Sequence, residues 1–253
     1  MPRLAANLTM LFTELPMLDR FAAAAEAGFT GAEILYPYDL SARELYRAAV
    51  SAGLDMVLIN TPPPNWTGGP RGFAAVPGVE ERFRRDFERS LRVAEALRAR
   101  HIHVVAGRAE GPAARQTFID NLSWAAERAP HASLTIEPRN TKDNPGYFLN
   151  DMALAEEILA AVGAPNIGLQ FDAYHAQMIT GDMLGAWRQV GPKVRHVQIA
   201  GCPGRNEPNL GSMDCGALLR LLDESGYRGW VSAEYSPARQ TFHGLGWISH
   251  ATT

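Results

Sequence analysis

The sequence predicts an α/β fold, a single parallel (β/α)8 barrel over residues 1–253. Three observations lead there. Short apolar runs alternate along the chain with longer amphipathic ones, the pattern of a parallel sheet with right-handed helical crossovers. The length of 253 residues is close to the roughly 250 typical of one such barrel. No composition break, low-complexity stretch or interdomain linker interrupts the alternation.

Residues 4–8 read as the first strand, and 15–27 as a helix stopped by Gly28. A second strand covers 31–35, and Ser41 N-caps a helix that ends near Gly53. The third strand is 54–60. The Pro- and Gly-rich stretch 61–78 is too long for a plain connector. The helix over 80–99 is strongly charged, yet Phe83, Phe87, Leu91, Ala94 and Leu97 form one apolar stripe, so one face is buried. Strand four is read over 101–106, a helix over 113–128, and strand five over 133–137. A second long loop runs through Leu149, and Asn150 caps a helix over 152–162. Strands six, seven and eight fall at 167–172, 194–199 and 230–234. Between the last two, a helix over 215–224 stops at Gly226.

The bulk numbers exclude several function classes. An apolar content of 46% with 20% charged residues describes an ordinary soluble protein. The net charge of −3, with no Lys/Arg-rich run, gives nucleic-acid binding little electrostatic support. Two cysteines, Cys202 and Cys215, form no metal-binding pattern and read as reduced thiols. The opening segment lacks the anatomy of a secretion signal, and no apolar stretch nears the ~18 residues of a membrane span. A cytoplasmic protein with no membrane or nucleic-acid partner is expected. Homo-oligomer formation is compatible with this type of barrel.

Four of the predicted strands end on a residue that carries an oxygen ligand: Glu137, Asp172, Gln198 and Glu234. In a parallel barrel, the C-terminal strand ends form the active-site face. Period-two alternation strengthens the point. Leu134 and Ile136 oppose Thr135 and Glu137. Leu169 and Phe171 oppose Gln170 and Asp172. Val197 and Ile199 oppose His196 and Gln198, and Val231 and Ala233 oppose Ser232 and Glu234. The apolar face suits the helix layer, so the polar face points into the barrel. Buried carboxylates are costly unless paired or metal-bound. Three of them with one amide suit a single hard divalent cation; the competing reading is a set of buried ion pairs.

Several segments then resemble a known family. They are 6–12 (ANLTMLF), 71–78 (RGFAAVPG), 136–140 (IEPRN), 170–175 (QFDAYH), 196–200 (HVQIA) and 233–235 (AEY). Together they look like hydroxypyruvate isomerase, one of the xylose-isomerase-like TIM barrels, over essentially the whole chain. The family also includes 2-oxo-tetronate isomerases and sugar epimerases. The resemblance implies metal ligands at Glu137, Asp172, Gln198 and Glu234, with Glu137 and Glu234 as the acid/base pair. It also implies that His175 holds a substrate hydroxyl and that Arg205 and Glu207 occupy the functional loop after strand seven. The epimerases usually carry His where this chain has Gln198, which leans toward the hydroxypyruvate branch. The activity implied is interconversion of hydroxypyruvate and tartronate semialdehyde, with 2-oxo-tetronate isomerisation or ketose 3-epimerisation as alternatives. A non-catalytic sugar-acid binding protein is a further alternative.

That chemistry moves a proton between adjacent carbons through an enediolate, and a 1,2-hydride shift stays open. Mg²⁺ or Mn²⁺ fits an all-oxygen ligand set. The substrate, a small hydroxy or oxo acid, needs a cation for its carboxylate. Arg71 is the candidate and Arg205 its rival, because a guanidinium grips a carboxylate bidentately. Both could instead be solvated loop residues, and His175 could simply cap the helix after strand six. Asn7 and Asn60 end strands one and three and either contact substrate or fix their loops. His101, His103 and His131 read as structural.

Overall fold

A computed structural model describes residues 3–62 and 72–248. Eight parallel strands close into a barrel in sequence order, each paired with its chain neighbours and β1 with β8. They are β1 (Arg3–Asn7), β2 (Gly31–Ile34), β3 (Asp55–Asn60), β4 (His101–His103), β5 (Ser133–Ile136), β6 (Ile167–Asp172), β7 (Val194–Ile199) and β8 (Trp230–Ala233). The helices are α1 (Asp19–Glu26), α2 (Ala42–Ser51), α3 (Glu80–Leu97), α4 (Gly111–Arg128), α5 (Met152–Val162), α6 (Ala173–Thr180), α7 (Met183–Val190) and α8 (Cys215–Glu224).

The apolar strand faces and helix stripes form the main core between barrel and helices. The predicted stripe of α3 is buried as read, with Phe83 and Phe87 packed edge-on against Trp124 of α4. At the N-terminal end of the barrel, Trp230 clusters with Ala5 of β1 and with Val57 and Leu58 of β3, and its ring stands against Gly31 of β2. This close approach explains Gly31: a Cβ there would lie 2.6 Å from the Trp230 ring.

Several expectations are corrected. The first helix starts at Asp19, not Leu15, because Leu15 and Asp19 close turns around Pro16 onto the carbonyls of Phe12 and Pro16. Asn150 is not the cap of α5. Asp151 is, its carboxylate accepting the Leu154 amide at 3.0 Å, while Asn150 binds the Tyr147 carbonyl. Ser41 stands at the start of α2 without a side-chain capping bond. Strand four stops at His103, because Val105 and Ala106 pair with loop groups, with Thr61 Oγ1, Ala75 N and the Tyr147 hydroxyl as partners. The connection from β6 to β7 holds two helices. Gly181, in left-handed conformation, ends α6, and Asp182 caps α7.

Because Trp230 and Val57 leave no room beside Gly31, Gly31→Ala is expected to destabilise the fold by ~1–3 kcal/mol through overpacking. Urea unfolding should show this as a lower midpoint with an unchanged slope.

Candidate active site

The C-terminal strand ends bring three carboxylates together. Glu137 follows the last paired residue of β5, Asp172 ends β6, and Glu234 follows β8. All three are buried. Two guanidiniums sit among them. Arg139 Nε donates to Glu137 Oε2 at 2.7 Å. Arg205 Nη2 reaches Asp172 Oδ2 at 2.6 Å and Glu234 Oε1 at 3.1 Å. Arg205 has a left-handed backbone (φ 54°) and lies over the Tyr174 ring; its carbonyl accepts the Ser236 amide. These contacts aim a long cationic side chain back into the barrel mouth.

Asp172 has two uses. Its Oδ1 caps α6, accepting the amides of Tyr174 and His175 at 2.8 and 3.2 Å, and its Oδ2 takes Arg205. The cap places His175 on the first turn of α6 with its ring in the site. His175 Nε2 lies 3.9 Å from Glu137 Oε1 and 3.1 Å from Arg205 Nη1. His175 therefore faces the carboxylates, and the backbone cap is made by Asp172.

Electrostatics follow from burial. Desolvation raises the pKa of Glu137 above the ordinary value, and the guanidinium of Arg139 pulls it partly back. Desolvation lifts Glu234 well above that value against the pull of Arg205. Burial opposes charge on both arginines, but the carboxylates outweigh it and their pKa values rise. Desolvation pushes the His175 imidazole down to about 3, so it is neutral at physiological pH.

Beside this cluster lies a polar barrel interior. Glu33 of β2 accepts from Asn7 Nδ2 (2.9 Å), Gln198 Nε2 (2.8 Å) and His196 Nε2 (2.8 Å). β2 and β7 are not neighbours, so the bonds from His196 and Gln198 cross the barrel. Gln198 Oε1 also accepts from Gln170 Nε2 at 2.7 Å, and Gln170 Oε1 accepts from Thr135. Both ends of the Gln198 amide are thus engaged inside the barrel. Asn7 fixes its own loop as well, its Oδ1 accepting the Thr9 amide. Asn60 Oδ1 meets His103 Nδ1 at 3.1 Å, and its buried Nδ2 has no partner among the described residues. Glu207 accepts the Ala238 amide at 3.1 Å and abuts Gly244, tying the loop after β7 to the segment after β8. Arg71 lies outside the described residues.

Sequence reading passed over Arg139, although it stands within the quoted 136–140 segment. It also passed over Glu33, the hub of the interior network. His103 was read as a structural strand-start residue. Its Nε2 lies 3.6 Å from Glu137 Oε2, in the wall of the site. The alternation of strand four, with His101 and His103 on one face, was the signal available for it.

The donor set suits a cation. Carboxylate oxygens of Glu137 and Asp172 lie within 4.8 Å of each other, with a His175 ring nitrogen at the same range beside them. Glu234 Oε2 is buried with no hydrogen-bond partner among the described residues. Three carboxylates face two guanidiniums, so the site retains capacity for positive charge.

The sequence profile of the xylose isomerase-like TIM barrel family matches residues 21–250. The chain belongs to that family. A 2-oxo-tetronate isomerase of Cupriavidus necator is 42% identical, with 98% of each chain covered. The hydroxypyruvate isomerase of Escherichia coli is 37% identical, again with 98% of each covered. A crystal structure from Brucella melitensis, described as an AP endonuclease of family 2, superposes with a TM-score of 0.95 at 42% identity, over 98% of both chains. With relatives of this identity along its whole length, the chain is an enzyme of the isomerase class. No described helix is long and apolar enough to cross a membrane.

Burial raises both glutamates above the ordinary 4.5. In EDTA their titration, read by carboxyl ¹³C resonances, is therefore expected above pH 4.5, and Arg205→Met, which removes a charge that lowers the pKa of both, should move it to higher pH. A carboxyl raised on folding favours the fold most below its unfolded pKa, and that contribution is lost as pH rises through the folded value. In EDTA, Glu234→Gln should accordingly raise the Tm at pH 8 by about 2–4 °C for each ~1 kcal/mol regained. The gain should shrink as pH is lowered.

Proposed function

We propose that the substrate is a short 2-oxo acid with a hydroxyl on C3, hydroxypyruvate first, interconverted with its aldehyde isomer. The observation that carries this reading is the meeting of two buried glutamates from separate strands, Glu137 and Glu234, around the donors Arg205 and His175. One glutamate takes the C3 proton, and the C–H electron pair becomes the C2–C3 double bond as charge moves to O2. The second returns a proton to C2. The O3 hydroxyl proton passes to O2, completing the aldehyde. Arg205 and His175 supply hydrogen bonds where the negative oxygen develops.

The residues proposed to hold a divalent cation, Mg²⁺ or Mn²⁺, are Glu137, Asp172 and Glu234, with Gln198 as the fourth. Gln198 keeps its bond to Glu33 in that role and uses the free lone pair of its carbonyl oxygen. The cation would supply Lewis-acid polarisation of the substrate oxygens, worth several kcal/mol. Arg71 remains the proposed partner of the substrate carboxylate. Asn7, Asn60 and Glu207 are assigned to shaping the pocket around these groups.

The second reading is 2-oxo-tetronate, favoured by the 42% identity to the Cupriavidus enzyme of that name. It differs from hydroxypyruvate by one hydroxymethyl group on C3, so the same proton transfer serves both. A phosphodiesterase role, suggested by the description of the Brucella structure, has less support. The ends of β2 and β3 carry Glu33 and Asn60, both engaged inside the barrel.

The test is isomerisation of hydroxypyruvate, 2-oxo-tetronate and a ketohexose in parallel, in EDTA and then with Mg²⁺ or Mn²⁺. Turnover of hydroxypyruvate is expected, reduced by about 10²–10⁴ in Glu137→Gln and in Glu234→Gln. Selective turnover of 2-oxo-tetronate would select the second reading. No turnover of any of the three would contradict both.

A further inference from the structure

We propose that Asp143, acting through Asn140, is a positioning residue that fixes the tautomer of His175, leaving its proton on Nε2 and aimed into the site. The inference rests on the isomerase reading for its kinetic consequence and on hydrogen-bond geometry alone for the tautomer.

The long loop after β5 carries both residues. Asn140 is buried, and its side-chain amide is gripped at both ends by Asp143: Oδ1 accepts the Asp143 backbone amide at 3.0 Å, and Nδ2 donates to Asp143 Oδ2 at 3.0 Å. Turning the amide over would set donor against donor and acceptor against acceptor. Asp143 is itself anchored, because the Tyr174 hydroxyl donates to the same Oδ2 at 2.7 Å. Asn140 therefore presents its NH₂ to His175, whose Nδ1 lies 2.7 Å away. The backbone N–H of Asn140, which cannot turn over, points at the same nitrogen from 3.4 Å. Two donors on Nδ1 require a lone pair there, so a neutral imidazole carries its proton on Nε2.

The consequence is chemical. Nε2–H faces the cluster, 3.8 Å from Asp172 Oδ2 and 3.9 Å from Glu137 Oε1. Arg205 Nη1, which can only donate, points at the same Nε2 from 3.1 Å, a contact that Nε2–H excludes and that the guanidinium gives up by turning to an anionic oxygen. Two donors so close repel unless they share an acceptor, so the pair suits an oxygen that carries negative charge. The O2 of the enediolate meets that description. With the proton on Nδ1 instead, Nε2 would turn a lone pair toward the same oxygen and oppose the charge that develops there.

The test reads the ¹⁵N resonances of the His175 ring in the full-length protein, assigned by difference with His175→Gln. The wild-type spectrum is expected to show Nε2 protonated and Nδ1 bare. Asn140→Asp replaces the donor with an acceptor and should move the proton to Nδ1. With one donor to the transition state lost, kcat should fall by about a hundredfold and KM change less. Asp143→Ala, at an exposed loop position, should give a mixture of tautomers and an intermediate loss of kcat. A wild-type ring protonated on Nδ1, or an unchanged spectrum in both variants, would overturn the proposal. The spectra need no turnover, so they decide the tautomer even if the chain acts on none of the substrates named above.

Discussion

Three carboxylates buried at one barrel mouth are the constraint on which the rest of this structure depends. Charges of one sign at this spacing, out of water, repel strongly and disfavour ionisation. Two guanidiniums answer them, buried Arg139 on Glu137 and half-buried Arg205 between Asp172 and Glu234. The loops exist to deliver those cations. Arg139 is held where its amide binds the Leu149 carbonyl, at the base of the long loop after β5. Arg205 is held by the left-handed turn after β7 and by backbone bonds to the segment after β8. Burial away from water raises the pKa values of Glu137 and Glu234, and the guanidiniums offset it only in part. A carboxyl poised above its ordinary range is the stronger proton acceptor, as the proposed two-glutamate chemistry requires.

The same reasoning explains why the barrel interior is polar around this site. Glu33 is buried far from solvent, yet it accepts three hydrogen bonds, from Asn7, His196 and Gln198. These join β1, β2 and β7 across the interior and extend through Gln170 to Thr135 of β5. A fully bonded network of this kind gives each member one geometry. Removal of Glu33 would leave three donors without an acceptor and release the Gln198 amide beside the site.

Much of this was legible in the sequence because strand period and strand-end chemistry coincide. β6 and β7 matched their apolar runs in full, and Glu137, Asp172 and Glu234 converge as their strand ends predicted. Gln198, read from the same pattern, also points into the barrel, where its amide is tied to Glu33 and Gln170. Alternation gives the face of a side chain but not its partner. Arg139 and Arg205 show the same limit. A long side chain on a loop can reach solvent or fold back, and only the turn geometry decides. The short fourth strand ends on hydroxyls of Thr61 and Tyr147 brought in from other loops, and of two adjacent capping residues, Asn150 and Asp151, only the backbone path decides which one caps α5.

The central claim is that Glu137 and Glu234 act as two separate acid/base groups. It is tested most directly by running the isomerisation in D₂O and locating deuterium in the product. Two glutamates, one removing a proton and the other supplying a different one, predict one solvent deuterium at C2 for each turnover. Complete retention of the substrate hydrogen at C2 would contradict that account and point to a 1,2-hydride shift or to a single shielded base.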